Sequence, residues 1–280
     1  MDEQTERDMA ELRAAAEAGD SEAIYLLGKF YDTGIGLEKN PSKAFELFRQ
    51  AAEKGLAIAQ YDLGSCYSRG EVVNQDMAEA EKWYRKAAEQ GLDQAQFSLA
   101  VCYDKDDATP EELKEAVTWY RRAAEQGHVG AQFILGTFYF IGNGVPEDMA
   151  ESTKWFRKAA EQGDPAAQNS MGDAYFNGWG VPEDKEESVK WYRKAAEQGD
   201  ADAQYELGKC YENGDGVRKS KKNALKWYRK AAEQENEDAI NRLQDKDLYK
   251  SEHHVWLWLI LLLLIAAAAA FCFYKFKGSF

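Results

Sequence analysis

Acid–base, nucleophilic and metal chemistry would fall first to histidine and cysteine, and this 280-residue chain has few of either. The histidines are His128, His253 and His254; the cysteines are Cys66, Cys102, Cys210 and Cys272. A zinc site built from a short segment needs ligand pairs such as H-E-x-x-H or C-x-x-C, because only such spacings bring two donors to one ion. Neither pattern occurs, and Cys66, Cys102 and Cys210 stand 36 and 108 residues apart. A serine nucleophile would read Ser-x-x-Lys or G-x-S-x-G, and a phosphate cradle would read as a P-loop or a complete G-x-G-x-x-G; none is present. Adjacent His253 and His254 are of a type that can bind a metal ion weakly, but they read as solvated side chains at a membrane edge. We therefore expect no catalytic residue, no cofactor and no metal site. A hydrolase with an unrecognised site remains the weakest alternative.

Charge narrows the partners. The 49 acidic residues exceed the 35 basic ones, giving a net charge of −14, which repels phosphate backbones; nucleic acid is not an expected partner. Six glutamates, from Glu53 to Glu233, each stand four residues after an arginine. A solvated i, i+4 ion pair worth a few tenths of a kcal/mol accounts for them better than acid catalysis.

The elements that carry these residues repeat. Glycines recur at Gly19, Gly55, Gly91, Gly127, Gly163 and Gly199, and tryptophans at Trp83, Trp119, Trp155, Trp191 and Trp227, each 36 residues from the next. Within the unit 164–199, Ala167, Met171 and Tyr175 make one apolar stripe, and Ser188, Trp191, Tyr192 and Ala195 make a second, both at helical spacing. Between them, Gly178 and Gly180 permit positive φ, Pro182 suits the first turn of the next helix, and Gly199 suits a left-handed stop. Glycines inside the first helix, at Gly28, Gly64, Gly136, Gly172 and Gly208, mark notches where two backbones approach.

One hairpin cannot cover its own apolar stripe, so stacked neighbours must. The expectation is an all-α solenoid of six helix-turn-helix repeats, 20–55, 56–91, 92–127, 128–163, 164–199 and 200–235. Segment 1–19 reads as an N-terminal capping helix and 236–254 as a second cap with a juxtamembrane linker. The turns of the second and third repeats lack one or both glycines (Gly70-Glu71-Val72 and Asp106-Asp107-Ala108), so shape should change there.

Beyond the linker, 255–274 is a run of 20 uncharged residues opening at Val255 and closing at Tyr274, followed by a short tail, 275–280. At ~1.5 Å per residue it matches a bilayer core of ~30 Å. Trp256 and Trp258 at one edge and Phe273 and Tyr274 at the other are placed as interfacial aromatics. A single-pass, tail-anchored protein follows. The charged N-terminus lacks an apolar signal region and the cysteines are not paired for disulfides, which puts the repeats on the cytosolic side.

The units resemble the Sel-one-like repeat family, a relative of the tetratricopeptide repeat. The resemblance rests on A-x-A-Q-x-x-L-G-x-x-Y-x-x-G-x-G-V, here Ala203-Gln204, Leu207-Gly208, Tyr211, Gly214 and Gly216-Val217, and on the run from Trp227 to Gln234. It covers about residues 20 to 243 and implies a right-handed α/α superhelix and an adaptor role.

Recognition in a solenoid belongs to positions that vary while the scaffold repeats. At the sixth residue of each unit stand Tyr25, Tyr61, Phe97, Phe133, Asn169 and Tyr205; with five aromatics in six, packing is the better reading. At the thirteenth stand Asp32, Ser68, Asp104, Phe140, Phe176 and Glu212. Only Phe140 and Phe176 are apolar there. With Phe133, Ile141 and Trp179 they form a candidate aromatic patch for a partner peptide or helix. The leading expectation is a membrane-anchored scaffold presenting a helical groove to other proteins. The rival is a structural homo-oligomer paired through its membrane segment, where Ala266 to Ala270 would allow close approach.

Overall fold

Helix ends in this chain are set by residues that satisfy backbone groups the helix itself leaves open. The computed structural model describes residues 3–245, and among these it has fourteen helices and no strand. After α1 (Glu3–Glu17) come six pairs: α2 (Ser21–Thr33) with α3 (Pro41–Glu53), α4 (Ala57–Arg69) with α5 (Met77–Glu89), α6 (Asp93–Tyr103) with α7 (Pro110–Glu125), α8 (Val129–Ile141) with α9 (Met149–Glu161), α10 (Pro165–Asn177) with α11 (Lys185–Glu197), and α12 (Ala201–Asn213) with α13 (Lys221–Ala232). The helix α14 (Glu237–Gln244) follows. The all-helical, paired expectation holds. The described residues form two compact units that divide between Ala167 and Gln168, inside α10. In the first, each helix from α1 to α9 packs on the next; in the second, α11 to α14 do the same. This is the nearest-neighbour stacking of a solenoid.

One junction explains the period. At the end of α11, Gly199 has φ 102°, and the Asp200 N–H reaches back to the Ala195 carbonyl at 3.1 Å. The Asp200 carboxylate then accepts the Ala203 N–H at 2.7 Å and so begins α12. Two residues end one helix and start another. Glycine holds the same left-handed geometry from Gly19 through Gly163, but the last repeat places Glu235 there, at φ 63°.

Two local expectations are corrected. Pro182 lies in the turn, not in the first turn of α11; the N-cap is Asp184, whose carboxylate accepts the Glu187 N–H at 3.0 Å. The loop needs the extra residues to bring the Asp184 N–H to the Tyr175 carbonyl, 2.8 Å away, and only an acceptor side chain can then serve the free N–H groups. The glycine notches receive first of all a ring, and at Gly64 the Ala80 carbonyl also comes within 3.2 Å of where a Cβ would stand. A Cβ on Gly28 would come within 2.8 Å of Phe48, on Gly64 within 2.8 Å of Tyr84, on Gly136 within 2.7 Å of Phe156 and on Gly208 within 2.6 Å of Tyr228.

The altered turn of the third repeat has a visible effect: α6 is shortened to 11 residues and α7 extended to 16. The expected membrane segment, 255–274, lies outside the described residues. Among those described, no helix is long and apolar enough to cross a membrane.

Candidate partner-binding surface

The sixth residue of the unit packs within its own repeat, as its aromatic bias suggests. Its ring meets the ring that fills the glycine notch: Tyr25 with Phe48, Tyr61 with Tyr84, Phe97 with Tyr120, Phe133 with Phe156, and Tyr205 with Tyr228, all at centroid separations of 5.6–5.7 Å. Such pairs contribute about 1 kcal/mol beyond their burial. Where the fifth repeat has Asn169 instead, its Oδ1 is buried without a hydrogen-bond partner among the described residues.

The tenth and thirteenth residues are less free than their variability implies, because the notch tyrosine reaches them. Tyr84 donates to Ser65 at 3.3 Å, Tyr120 to Asp104 at 3.1 Å, Tyr192 to Asp173 at 2.7 Å and Tyr228 to Glu212 at 2.7 Å. The two acids of the second unit respond in opposite directions. Burial raises the Asp173 carboxyl to about 6, whereas the Arg242 guanidinium and the Tyr228 hydroxyl hold Glu212 below its ordinary value. In the first and fourth repeats the notch ring is phenylalanine, Phe48 or Phe156, and no hydroxyl is offered.

Of the five residues expected to form a patch, Phe133, Phe140 and Ile141 lie in the first unit, and Phe176 and Trp179 in the second. Phe133 is half-buried against Phe156 and serves packing. Phe140 is half-buried, and Ile141 at the end of α8 is 59% exposed. In the second unit, Phe176 packs against the cluster of Val189, Tyr192 and Leu207 with Lys185 Nζ 4.9 Å above its ring, and Trp179 is 37% exposed. The expected patch therefore reduces to Phe140 and Ile141 on one unit and Trp179, backed by Phe176, on the other.

For three of the repeating arginines the i, i+4 expectation is corrected. Arg49 meets Glu53 only at 3.9 Å, while Arg85 turns to Glu81 and to the Tyr103 hydroxyl, Arg121 to the Tyr139 hydroxyl, and Arg193 to the Tyr211 hydroxyl at 3.0 Å. A guanidinium donates readily to a half-buried phenol on the next first helix, which an exposed i, i+4 glutamate cannot match.

Two framework devices escaped the sequence reading. Buried glutamines link successive repeats: Gln60 donates to the Ala52 carbonyl at 3.1 Å and accepts from Gln90 at 2.7 Å. The same acceptance recurs at Gln96 from Gln126, Gln132 from Gln162, Gln168 from Gln198 and Gln204 from Gln234. The signal was a constant separation of 30, invisible to helical periodicity. Second, the cation three residues after each repeat tryptophan lies over its indole, from Lys86 on Trp83 at 3.8 Å to Lys230 on Trp227 at 4.7 Å. Thiol chemistry finds no support: burial raises Cys66 and Cys102 to about 11 and Cys210 to about 12. Among the described residues no group of three His, Cys, Asp or Glu could hold a metal ion.

Comparison with known proteins matches this architecture. No curated protein matches the chain. Among solved structures, it is similar to c5321, a protective antigen present in uropathogenic Escherichia coli strains displaying an SLR fold, with 40% identity and a TM-score of 0.79. The match covers 84% of this chain but 50% of that one, so this chain spans about half of its relative's length. A Sel1 repeat protein from Oxalobacter formigenes is 37% identical over 76% of this chain and 85% of its own, with a TM-score of 0.65. The Sel1 repeat family model matches six times, at 21–56, 57–92, 93–128, 129–164, 165–200 and 201–236. Each match begins one residue after the frame set by the glycines, and with six in tandem the chain belongs to the Sel1 repeat family.

Proposed function

We propose that this protein is an interaction scaffold that gathers partner proteins at a membrane. Sel1 repeat proteins are generally protein-interaction scaffolds. The observation that carries the reading here is apolar exposure on a framework several of whose variable positions are tied down. Ile141 is 59% exposed beside half-buried Phe140, while Asp104, Asp173 and Glu212 are engaged by tyrosine hydroxyls. Exposed aliphatic and aromatic side chains at a helix end are the groups a partner helix buries. The apolar run 255–274 supports membrane attachment, and the free, unreactive thiols Cys66, Cys102 and Cys210 suit a reducing cytosolic face.

Affinity capture from detergent-solubilised membranes tests the surface. Ile141→Asp in the first unit, and Trp179→Ala in the second as a separate variant, should each reduce recovery of specific partners without lowering the melting midpoint; unchanged recovery with both would sink the reading. Extraction at alkaline pH and protease treatment of sealed cells test the anchor. The chain should stay with the membrane, and its repeats should be cut only from the cytosolic side.

A further inference from the structure

The first repeat lacks a residue that every later repeat carries at one position. Trp83, Trp119, Trp155, Trp191 and Trp227 occupy the twenty-eighth residue of their units, and the first unit has Leu47. In the last repeat Trp227 is 8% exposed and packs in one cluster with Ala196 of the preceding second helix and Leu207 of its own first helix. The matching residues of the first repeat are Ala16 on α1, Leu27 on α2 and Leu47 on α3. Together they line an open cleft of about 510 Å³.

We infer that this cleft receives an aromatic side chain, best of all an indole, carried by an acidic segment of a partner protein. The size argument is internal to the chain. Four repeats built on the same plan, the second, third, fourth and sixth, hold an indole between the same wall positions, so the walls are spaced for one, and leucine leaves that space unfilled. The charge argument is a change at two flanking positions. In four of the five later repeats a glutamate stands four residues before the tryptophan (the sixth has Asn223), as in Glu151, whose carboxylate accepts the Trp155 Nε1–H at 2.9 Å, and in all five a lysine or arginine stands three after it. The first repeat has Lys43 and Gln50 at these places, and both line the cleft. The anion that would repel an acidic segment is thus replaced by a cation. Arg13 adds a second positive charge to the lining against the single acid, Glu17, and neither Arg13 nor Lys43 is in an ion pair among the described residues. Lys43 instead lies over the Tyr31 ring at 4.4 Å, next to where an incoming ring would stack. An aromatic anchor entering a preformed pocket, with complementary charge at the rim, is the usual centre of a protein interface.

This inference rests on the scaffold reading for its biological sense but uses a different surface, so the two can fail separately. The test uses the full chain in detergent micelles and the peptide acetyl-Glu-Glu-(5-fluorotryptophan)-Glu-amide, followed by ¹⁹F NMR. A saturable shift of the fluorine resonance is expected. Leu47→Trp, which installs the residue of the other repeats, should abolish it while leaving the melting midpoint unchanged or higher. Lys43→Glu should weaken it by about tenfold, and a peptide with lysine in place of each glutamate should bind about tenfold more weakly than the acidic one. An equal shift with Leu47→Trp, or no saturation at millimolar peptide, would overturn the assignment. So would self-association of the chain that Leu47→Trp abolishes, because the occupant would then be a second copy.

Discussion

The first and sixth repeats follow one plan and differ at several of its framework positions, among them Ile24 against Gln204, Leu47 against Trp227, Phe48 against Tyr228, and Gln50 against Lys230. In the sixth repeat each of these residues is bound to another. Gln204 donates to the Ala196 carbonyl at 3.1 Å, Lys230 covers Trp227 at 4.7 Å, and Tyr228 holds Glu212 at 2.7 Å. The first repeat forgoes all three interactions and has a cleft where the indole would be. In a repeat protein, then, a binding site can be made by withdrawing a framework side chain as well as by varying a surface one.

The largest test of this contrast lies in the glycine notches. Gly208→Ala should cost about 3 kcal/mol, because Tyr228 is tethered through its hydroxyl and cannot move away from a Cβ 2.6 Å distant. Gly28→Ala should cost only about 1–2 kcal/mol, since the Phe48 ring has no hydroxyl to hold it. Equal losses in thermal or denaturant unfolding would break the comparison.

Transferring the first repeat's residue into the sixth gives the next effect. Tyr228→Phe should cost about 1–2 kcal/mol by removing a hydrogen bond to an ionised carboxylate. It should also reduce acid sensitivity. Glu212 is held below its ordinary value of 4.5, so its stabilisation is present above that pH and is lost as pH falls through the folded value. Unfolding followed below about pH 5 should show a shallower decline in the variant.

The fifth repeat sharpens the point by opposite sign. Asp173 is raised from 3.8 to about 6, so its contribution is full below pH 3.8 and is lost as pH rises toward 6. Asp173→Asn should flatten the stability profile between pH 4 and 6 and gain about 1 kcal/mol at pH 7. A profile that keeps its slope would mean another group titrates there. The smallest effect is expected at the end of the sixth repeat. Glu235→Gly should raise stability by up to about 1 kcal/mol, since a side chain at φ 63° is strained where glycine is not.

The helix pairs were legible because their ends are written in residue types with local physical meaning: glycine for the left-handed stop, aspartate for the cap, and apolar stripes at helical spacing between them. The packing role of Tyr25, Phe133 and their counterparts was legible for the same reason. What escaped was written across larger distances. Gln60 reads as a solvated residue until its partners, 8 residues before and 30 after, are brought to it. Arg85 reads as the start of an i, i+4 pair until Tyr103, 18 residues on, takes its guanidinium. Phe140 stands out in the sequence and Leu47 does not, because an apolar residue replacing another leaves the hydrophobic pattern unchanged. Only the volume difference between leucine and tryptophan signals the cleft, and volume matters only once the walls are known.

The glutamine links carry a consequence for heredity. Each one joins residues at fixed offsets, so every donor and acceptor it needs is contained in one period and its neighbour. A tandem duplication of the 36 codons of the second, third or fourth repeat would insert a unit whose glutamine finds an acceptor carbonyl behind it and whose own alanine carbonyl accepts from the glutamine ahead. Loss of a whole unit would heal in the same way. A gene of this kind can change length by recombination between its own copies and still encode a folded chain, while a slip of one codon would break the links on both sides at once.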